Sequence, residues 1–295
     1  MTRRQRLAAL ALAVASFAAG AAEEPARWYL QVDNDVVFVT DRWYSSGVRI
    51  ARVSGRNGSE TEFGLVHEIY VPEQRNWEPG KADRAPTARV MLNAAFHQRD
   101  ALRFDTLEAQ VGVRGPAALG KETTELVHRA IRADDVDWSR QLPGNHIDAS
   151  LVATRSQWLD SIPLRMHAGA VVGTQLAFVH LGGELRLGPG SRDIDFQVMR
   201  FAATPPFAAR KDDVGWSVFA GANARGVARN MLVGRNYDPG APDVHMKSVV
   251  GRFAAGAAWT LDRGSITFAL VQETREFDEQ RRPQRFGSLG LNWNF

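Results

Sequence analysis

Apolar and polar positions alternate with a period of two along most of this chain, in stretches separated by Gly, Pro, Asn and Asp. The alternation predicts strands near 27–38, 44–54, 61–71, 86–99, 101–114, 145–156, 161–173, 176–188, 214–226, 246–262, 264–275 and 285–295. In the tenth, Val249, Gly251, Phe253, Ala255, Ala257 and Trp259 share one parity, all of them small or apolar. Twelve is an even count, as a closed single-chain barrel requires when both ends of the chain lie on one side. Arg99–Asp100 and Asp262–Arg263–Gly264 read as hairpin turns, and no Pro/Gly linker or long repeat divides the chain. Trp28, Trp43, Trp158, Trp216, Trp259 and Trp293 fall near strand ends, where an aromatic girdle meets a lipid interface. The final LGLNWNF alternates to a terminal Phe295, as the last strand of an outer-membrane barrel typically does. The prediction is an all-β fold, an antiparallel 12-stranded transmembrane barrel. A soluble β-sandwich with an apolar last strand is the alternative, and it leaves more of these features unexplained.

One segment breaks the period. Residues 118–133, ALGKETTELVHRAIRA, carry no Gly or Pro after Gly120 and predict a single helix in the connection between the fifth and sixth strands, with Leu126, Ala130 and Ile131 sharing a face. If the chain starts on the periplasmic side, connections 1–2, 3–4, 5–6, 7–8, 9–10 and 11–12 share the cell-surface rim. The stretch 189–213 then becomes a long connection on the opposite rim, where turns are usually short.

The first residues bear on compartment. Arg3, Arg4 and Arg6 precede an apolar run from Leu7 to Gly20, with small residues at Ala19, Ala21 and Ala22. This reads as a signal peptide over 1–22, too short to span, followed by one barrel domain over 23–295. Three of the 36 Lys and Arg residues lie in that segment, whereas all 33 Asp and Glu lie beyond it. The exported chain is thus near neutral, and its basic overall balance does not point to nucleic acid. The chain contains no Cys, which excludes disulfides, thiolate catalysis and thiolate metal sites.

The densest chemistry lies in LQVDNDVVFVTDRWYSSG, Leu30 to Gly47, which brings Asn34, Asp35 and Ser45 to the ends of two neighbouring strands. Such residues are ordinary turn formers, and they are equally a carboxamide, a carboxylate and a hydroxyl able to meet a hard cation and a carbonyl. His128, on the predicted helix, is either a solvated surface histidine or a general base. Asp33, Asp35, Asp41, Asp134 and Asp135 suit calcium better than zinc, or are surface charges. His67, His97, His146, His167, His180 and His245 show no HExxH spacing, and neither a GxSxG elbow nor a P-loop is present. A histidine-activated water attacking an ester fits the set.

NDxxFxxTDRxYSxG at Asn34 to Gly47 resembles the opening motif of the LpxR family of outer-membrane lipid A deacylases. Lys81, Asp83 and Arg84 in KADRAPTA, His128-Arg129, VHMKSVV from Val244 to Val250 and the closing EFDEQRRPQRFGSLGLNWNF resemble further family segments in the same order. The resemblance covers essentially the whole exported chain. It implies a twelve-stranded barrel, integral to the bacterial outer membrane and monomeric, with its active site facing outward. It also implies calcium-dependent removal of the 3′-linked acyloxyacyl group from lipid A of lipopolysaccharide. On that resemblance Asn34 and Asp35 form the Asn-Asp pair and Ser45 lies near the oxyanion. His128 activates water, Lys81 and Arg84 contact lipid A, and Asp35 with Asp134 holds Ca2+. Asp134 stands where the family pattern has Glu, Thr124 where Gln is common, and Asp33 where Glu is usual. A lipid esterase of other specificity and a non-catalytic barrel or pore are the competing expectations.

Overall fold

The computed structural model describes residues 26–38, 40, 42–56, 58–73, 83–133, 136–141, 144–159, 161–189, 214–233 and 244–294. Twelve antiparallel strands form one closed barrel: each pairs with its neighbours in sequence, and the first closes on the last. They are β1 (Arg27–Asn34), β2 (Trp43–Arg56), β3 (Ser59–Val71), β4 (Thr87–Arg99), β5 (Arg103–Arg114), β6 (His146–Trp158), β7 (Leu164–Gly173), β8 (Leu176–Leu187), β9 (Gly215–Asn230), β10 (Val249–Leu261), β11 (Gly264–Glu273) and β12 (Gln284–Asn294). Every expected strand is present. Among the described residues no helix is long and apolar enough to cross a membrane.

The alternation sorts side chains as a membrane barrel must. Ile50, Phe63, Leu65, Leu92, Leu107, Leu151, Leu181 and Phe253 project outward and exposed, while inward positions carry charged and amide side chains beside a buried apolar cluster that includes Val152, Phe178, Phe219 and Phe286. Ion pairs link inward residues of neighbouring strands. Arg49 meets Glu62 and lies 3.3 Å from Glu108. His97 Nε2–H donates to Glu62 at 3.2 Å, and Asn93 donates to the same carboxylate at 2.8 Å. Arg89 bridges Glu68 at 2.5 Å and Asp148 at 3.2 Å, and Arg225 meets Glu273 at 2.6 Å. Buried charges persist in this way only when paired and hydrogen-bonded.

The expected boundaries shift by up to four residues. β1 ends at Asn34, four residues short of the predicted end, because Asp35–Phe38 turn into a short 3-10 helix. β9 runs on to Asn230. The predicted helix is Gly120–Ile131, here α1, preceded by a 3-10 turn at Pro116–Ala118. The girdle also needs correction. Trp28 pairs across the seam with Trp293, and Trp216 pairs with Trp259, all on the outward parity. Trp43 and Trp158, by contrast, are buried, the latter under the guanidinium of Arg165 at 5.5 Å. The signal segment 1–22, the terminal Phe295 and most of the 189–213 connection lie outside the described residues.

Candidate active site

The rim that carries the β1–β2, β3–β4, β5–β6, β9–β10 and β11–β12 connections is irregular in its backbone, and each irregularity has a local cause. Asn34 caps the 3-10 helix: its Oδ1 accepts the Val36 N–H at 2.7 Å. The Asp35 side chain is buried, and its Oδ2 accepts from Thr40 Oγ1 at 3.1 Å and from the Arg42 N–H at 2.9 Å. One carboxylate thereby fixes the whole turn into β2. Trp43 follows at φ 56°, a conformation unusual for a bulky residue, and it is held there by packing with Val233, Val244 and Phe277 and by the Arg42 guanidinium 4.9 Å from its ring. The register then shifts between Tyr44 and Ser46, so Ser45 is the inserted residue of a β-bulge, buried and outside the ladder.

The last residue of the YSSG motif has a steric reason. Tyr44 turns inward and its hydroxyl donates to Asp33 Oδ2 at 2.9 Å, crossing Gly47 so closely that a Cβ there would lie 1.9 Å from the phenol oxygen. The closing FGS motif answers it across the seam. Phe286 packs edge-on against Tyr44 at 4.9 Å, Gly287 leaves room for Val37 of the 3-10 helix, and Ser288 accepts from Gln31 at 3.3 Å.

Helix α1 sits on the outside of the wall. Ile69, Val71, Ala88 and Val90 have outward parity on β3 and β4, yet they pack with Ala118, Val136 and Trp138. A Cβ on Gly120 would lie 2.4 Å from Ala88 Cβ and 2.8 Å from Trp138, so the helix begins in direct contact with β4. His67, outward on β3, donates its Nε2–H to the Ala118 carbonyl at 2.8 Å, and Asn145 accepts the Ala117 N–H at 2.7 Å. The docked stripe is Gly120, Thr124 and His128, spaced by four, with Thr124 Oγ1 donating to the Gly120 carbonyl at 2.8 Å. Leu126, Ala130 and Ile131, which share the predicted apolar face, are exposed together with Leu119 and Val127. The direction of this face has a physical reason: outside a lipid-spanning wall the apolar surroundings lie away from the protein.

His128 is half-buried in the last turn, which Arg132 ends in the left-handed region at φ 57°; the Arg132 and Ala133 N–H groups both return to the His128 carbonyl. The helix adjoins the bulge through shared packing: Ser46 lies opposite Ile69, and Ile69 packs with Ala118 at the helix entrance.

A chain of polar contacts leads from Asp35 across the barrel mouth. Arg42, whose N–H meets Asp35, lies 3.2 Å from Glu73. The Glu73 N–H donates to Asp83 Oδ2 at 2.8 Å, and Asp83 Oδ1 accepts the Arg84 N–H at 2.7 Å. Burial pushes the Asp83 carboxyl above the ordinary carboxylate range, against these hydrogen bonds and the Arg84 charge, which pull it down. Arg84 is fully buried: its guanidinium donates to the Leu232 carbonyl, lies 3.5 Å from Glu276, and stacks 4.5 Å from the Tyr70 ring. Arg84 therefore braces the β3–β4 connection against the two late ones. Phe277 and Gln280 of EFDEQ serve the same scaffold, Phe277 against Trp43 and Gln280 accepting the Glu276 N–H at 2.7 Å. Lys247 pairs with Asp278, and His245 lies 2.6 Å from Glu279.

Asn34, Asp35 and Ser45 are thus gathered at one rim, with His128 on the adjoining helix. Lys81 and Asp134 lie outside the described residues. Among the described residues no group of three or more His, Asp or Glu side chains could hold a metal ion. His67, Gly120 and Trp138 were not singled out from the sequence, although they set where the helix sits. The signal for His67 was a lone histidine at an outward position near a rim, between Leu65 and Ile69.

A family model described as Outer membrane protein LpxR matches residues 7–295. The chain belongs to the LpxR family. It is accordingly an integral outer-membrane barrel. Among solved structures it is similar to LpxR from Salmonella typhimurium, at 20% identity and a TM-score of 0.74, over 91% of this chain and 100% of that one. It is also similar to the translocator domain of the autotransporter NalP from Neisseria meningitidis, at 11% identity and a TM-score of 0.48, over 99% of this chain and 96% of that one. The toluene transporter TodX of P. putida is a further likeness, at 7% identity and a TM-score of 0.41, over 92% and 90%. No curated protein matches the chain.

Proposed function

We propose that this LpxR-family member is a calcium-dependent lipid A deacylase that hydrolyses the 3′-linked acyloxyacyl ester at the outer leaflet. The observation that carries the reading is the location of α1. His128 rides on a helix docked against the outer wall beside the Ser45 bulge, a position that supports a lipid substrate over one inside the lumen.

In this reading the His128 imidazole takes a proton from water, and the oxygen attacks the ester carbonyl. The Ser45 hydroxyl donates to the oxyanion, held in place by the bulge. Collapse breaks the acyl C–O bond, and the proton on His128 passes to the departing sugar oxygen, giving a free hydroxyl and a fatty acid. Asn34, which fixes the turn, keeps the Asp35 carboxylate in position. The donor set is carboxylate, amide and hydroxyl oxygen without sulfur, which fits a hard cation. Asp35, with one oxygen engaged by Thr40 and Arg42, and Asp134 are the residues that would hold Ca2+. When bound, the ion supplies positive charge near the developing oxyanion. Lys81 is assigned to a lipid A phosphate or sugar, and Arg84 to the scaffold that frames it.

Lipid A mass spectrometry with and without expression tests the reading. Loss of the acyloxyacyl mass in the presence of calcium, abolished by His128→Ala, is expected. An unchanged lipid A profile in membranes holding folded protein overturns it, and product from glycerophospholipid alone would redirect it to another lipid esterase. The ion pairs that fill the lumen speak against a pore.

A further inference from the structure

The outer wall between β5 and β8 carries a trough that the rest of the lipid-facing surface does not need. Cross-strand register puts Leu107, Ala153 and Ala170 in one row, and Asp105, Arg155 and Ala168 in the next row toward the rim of short turns. Leu107 on β5 and Val179 and Leu181 on β8 stand up on either side, all three about three-fifths exposed. Between them the outward residues of β6 and β7 shrink to alanine at 153, 168 and 170, leaving a groove of about 650 Å³ against Phe96 and Leu107. At its turn-rim end lies an ion pair on the outward face. Arg155 donates Nε to Asp105 Oδ1 at 2.7 Å and Nη2 to Oδ2 at 2.9 Å. Arg103 lies 3.5 Å from Asp105 and 3.4 Å from Asp100, so two cations and two carboxylates alternate there.

We infer that this groove holds one glycerophospholipid with a zwitterionic phosphate–ammonium headgroup, of the phosphatidylethanolamine type. The wall is already the protein's interface with lipid, and a trough left unfilled would forfeit contacts along its whole lining. An acyl chain laid over the three alanines supplies them. The headgroup then meets charges of both signs: its phosphate pairs with the Nη1 edge of Arg155, which carries donors beyond those given to Asp105, and its ammonium with Asp105. A purely anionic headgroup would find the same arginines but would face Asp105 and Asp100 as well. Charged groups are tolerated here because they lie within four residues of the strand ends, close to the interface rather than the midplane. The inference does not depend on the proposed reaction.

Native mass spectrometry of the detergent-solubilised full chain tests it, with phosphatidylethanolamine, phosphatidylglycerol and phosphatidylcholine of identical acyl chains in equal amounts. One retained phosphatidylethanolamine is expected in preference to the other two. Ala168→Leu, which fills the trough from outside, is expected to weaken retention roughly tenfold. Asp105→Asn is expected to erase the preference over phosphatidylglycerol while leaving a lipid bound, and Leu270→Ala on another wall to change nothing. Equal retention of the three lipids by the unaltered chain overturns the inference without any variant, as does full retention in Ala168→Leu.

Discussion

The lumen and the connection-bearing rim bury the same kinds of residue, arginine against carboxylate, yet only the rim departs from regular backbone. In the lumen Arg49, Glu62, Glu108 and His97 stand on regularly paired stretches of strand and satisfy one another. At the rim, Asp35, Arg42, Glu73, Asp83 and Arg84 are threaded through a 3-10 helix, a residue at positive φ and a bulge. Buried charge alone therefore says little about chemistry in such a barrel, because charged and amide residues recur at inward positions all round it. What distinguishes the rim is that its ion pairs hold an irregular backbone in place, and that a helix is fastened beside it on the lipid side.

The contrast can be broken most severely with two histidines. His128→Ala is expected to lower deacylation by about 10²- to 10⁴-fold with the barrel intact, as removal of a general base does. His97→Ala in the lumen is expected to lower thermal stability and spare turnover; deacylation assays and melting curves on both variants decide. Arg84→Met leaves Glu276 buried without the Arg84 charge and is expected to cost about 3–5 kcal/mol, read by denaturant unfolding in detergent. If Arg84 met only substrate, stability would not move. Gly47→Ala displaces the Tyr44 phenol from Asp33 and is expected to cost about 1.5–3 kcal/mol, and distinctly less in a Tyr44→Phe background, a double-mutant cycle. His67→Ala removes one bond to the Ala118 carbonyl, about 1 kcal/mol, and should speed amide exchange in α1 while sparing β3.

The smallest effects concern pH, and two parts of the rim respond in opposite senses. Burial raises the Asp83 carboxyl, so its contribution is present below its unfolded value of 3.8 and is lost as pH climbs through the raised one. Asp278 is lowered by Lys247; Glu279 is lowered by His245 in spite of a burial effect that raises it. Their contributions are present above 3.8 and 4.5 and are lost as pH falls through the lowered values. Acid titration is expected to loosen the 245–248 and 275–279 segments first, seen as easier quenching of Trp43 by acrylamide. Asp278→Asn should remove part of that change.

Much of the barrel was legible because lipid outside and charge inside impose a strict period of two. The Asp35–Phe38 turn was not, since Val36, Val37 and Phe38 read as strand continuation and only the Asn34 cap and Asp35 reverse them. Trp158 was legible in principle: it shares parity with Val152, Thr154 and Ser156, all inward, and nearness to a strand end was the wrong guide. Trp43 was not legible, because positive φ and the bulge after it break the parity count. The apolar stripe of α1 was visible, but its direction depended on the helix lying outside the wall. The rim cluster of Asn34, Asp35 and Ser45 followed from strand pairing. The part of Arg84 as a brace depends on Leu232 and Glu276, some 150 and 190 residues away in sequence, and no local pattern encodes it.

The seam between β1 and β12 has a consequence in time. Asn34 lies opposite Gly287, and the turn that carries Asp35 rests on the space Gly287 leaves for Val37. Phe286 and Ser288, likewise from the final strand, steady Tyr44 and Gln31 beneath it. The first strand made and the last strand made must therefore meet before these groups are in register. A chain still in transit, unclosed, carries the components of the site without its geometry, and the act of sealing the barrel is what assembles it.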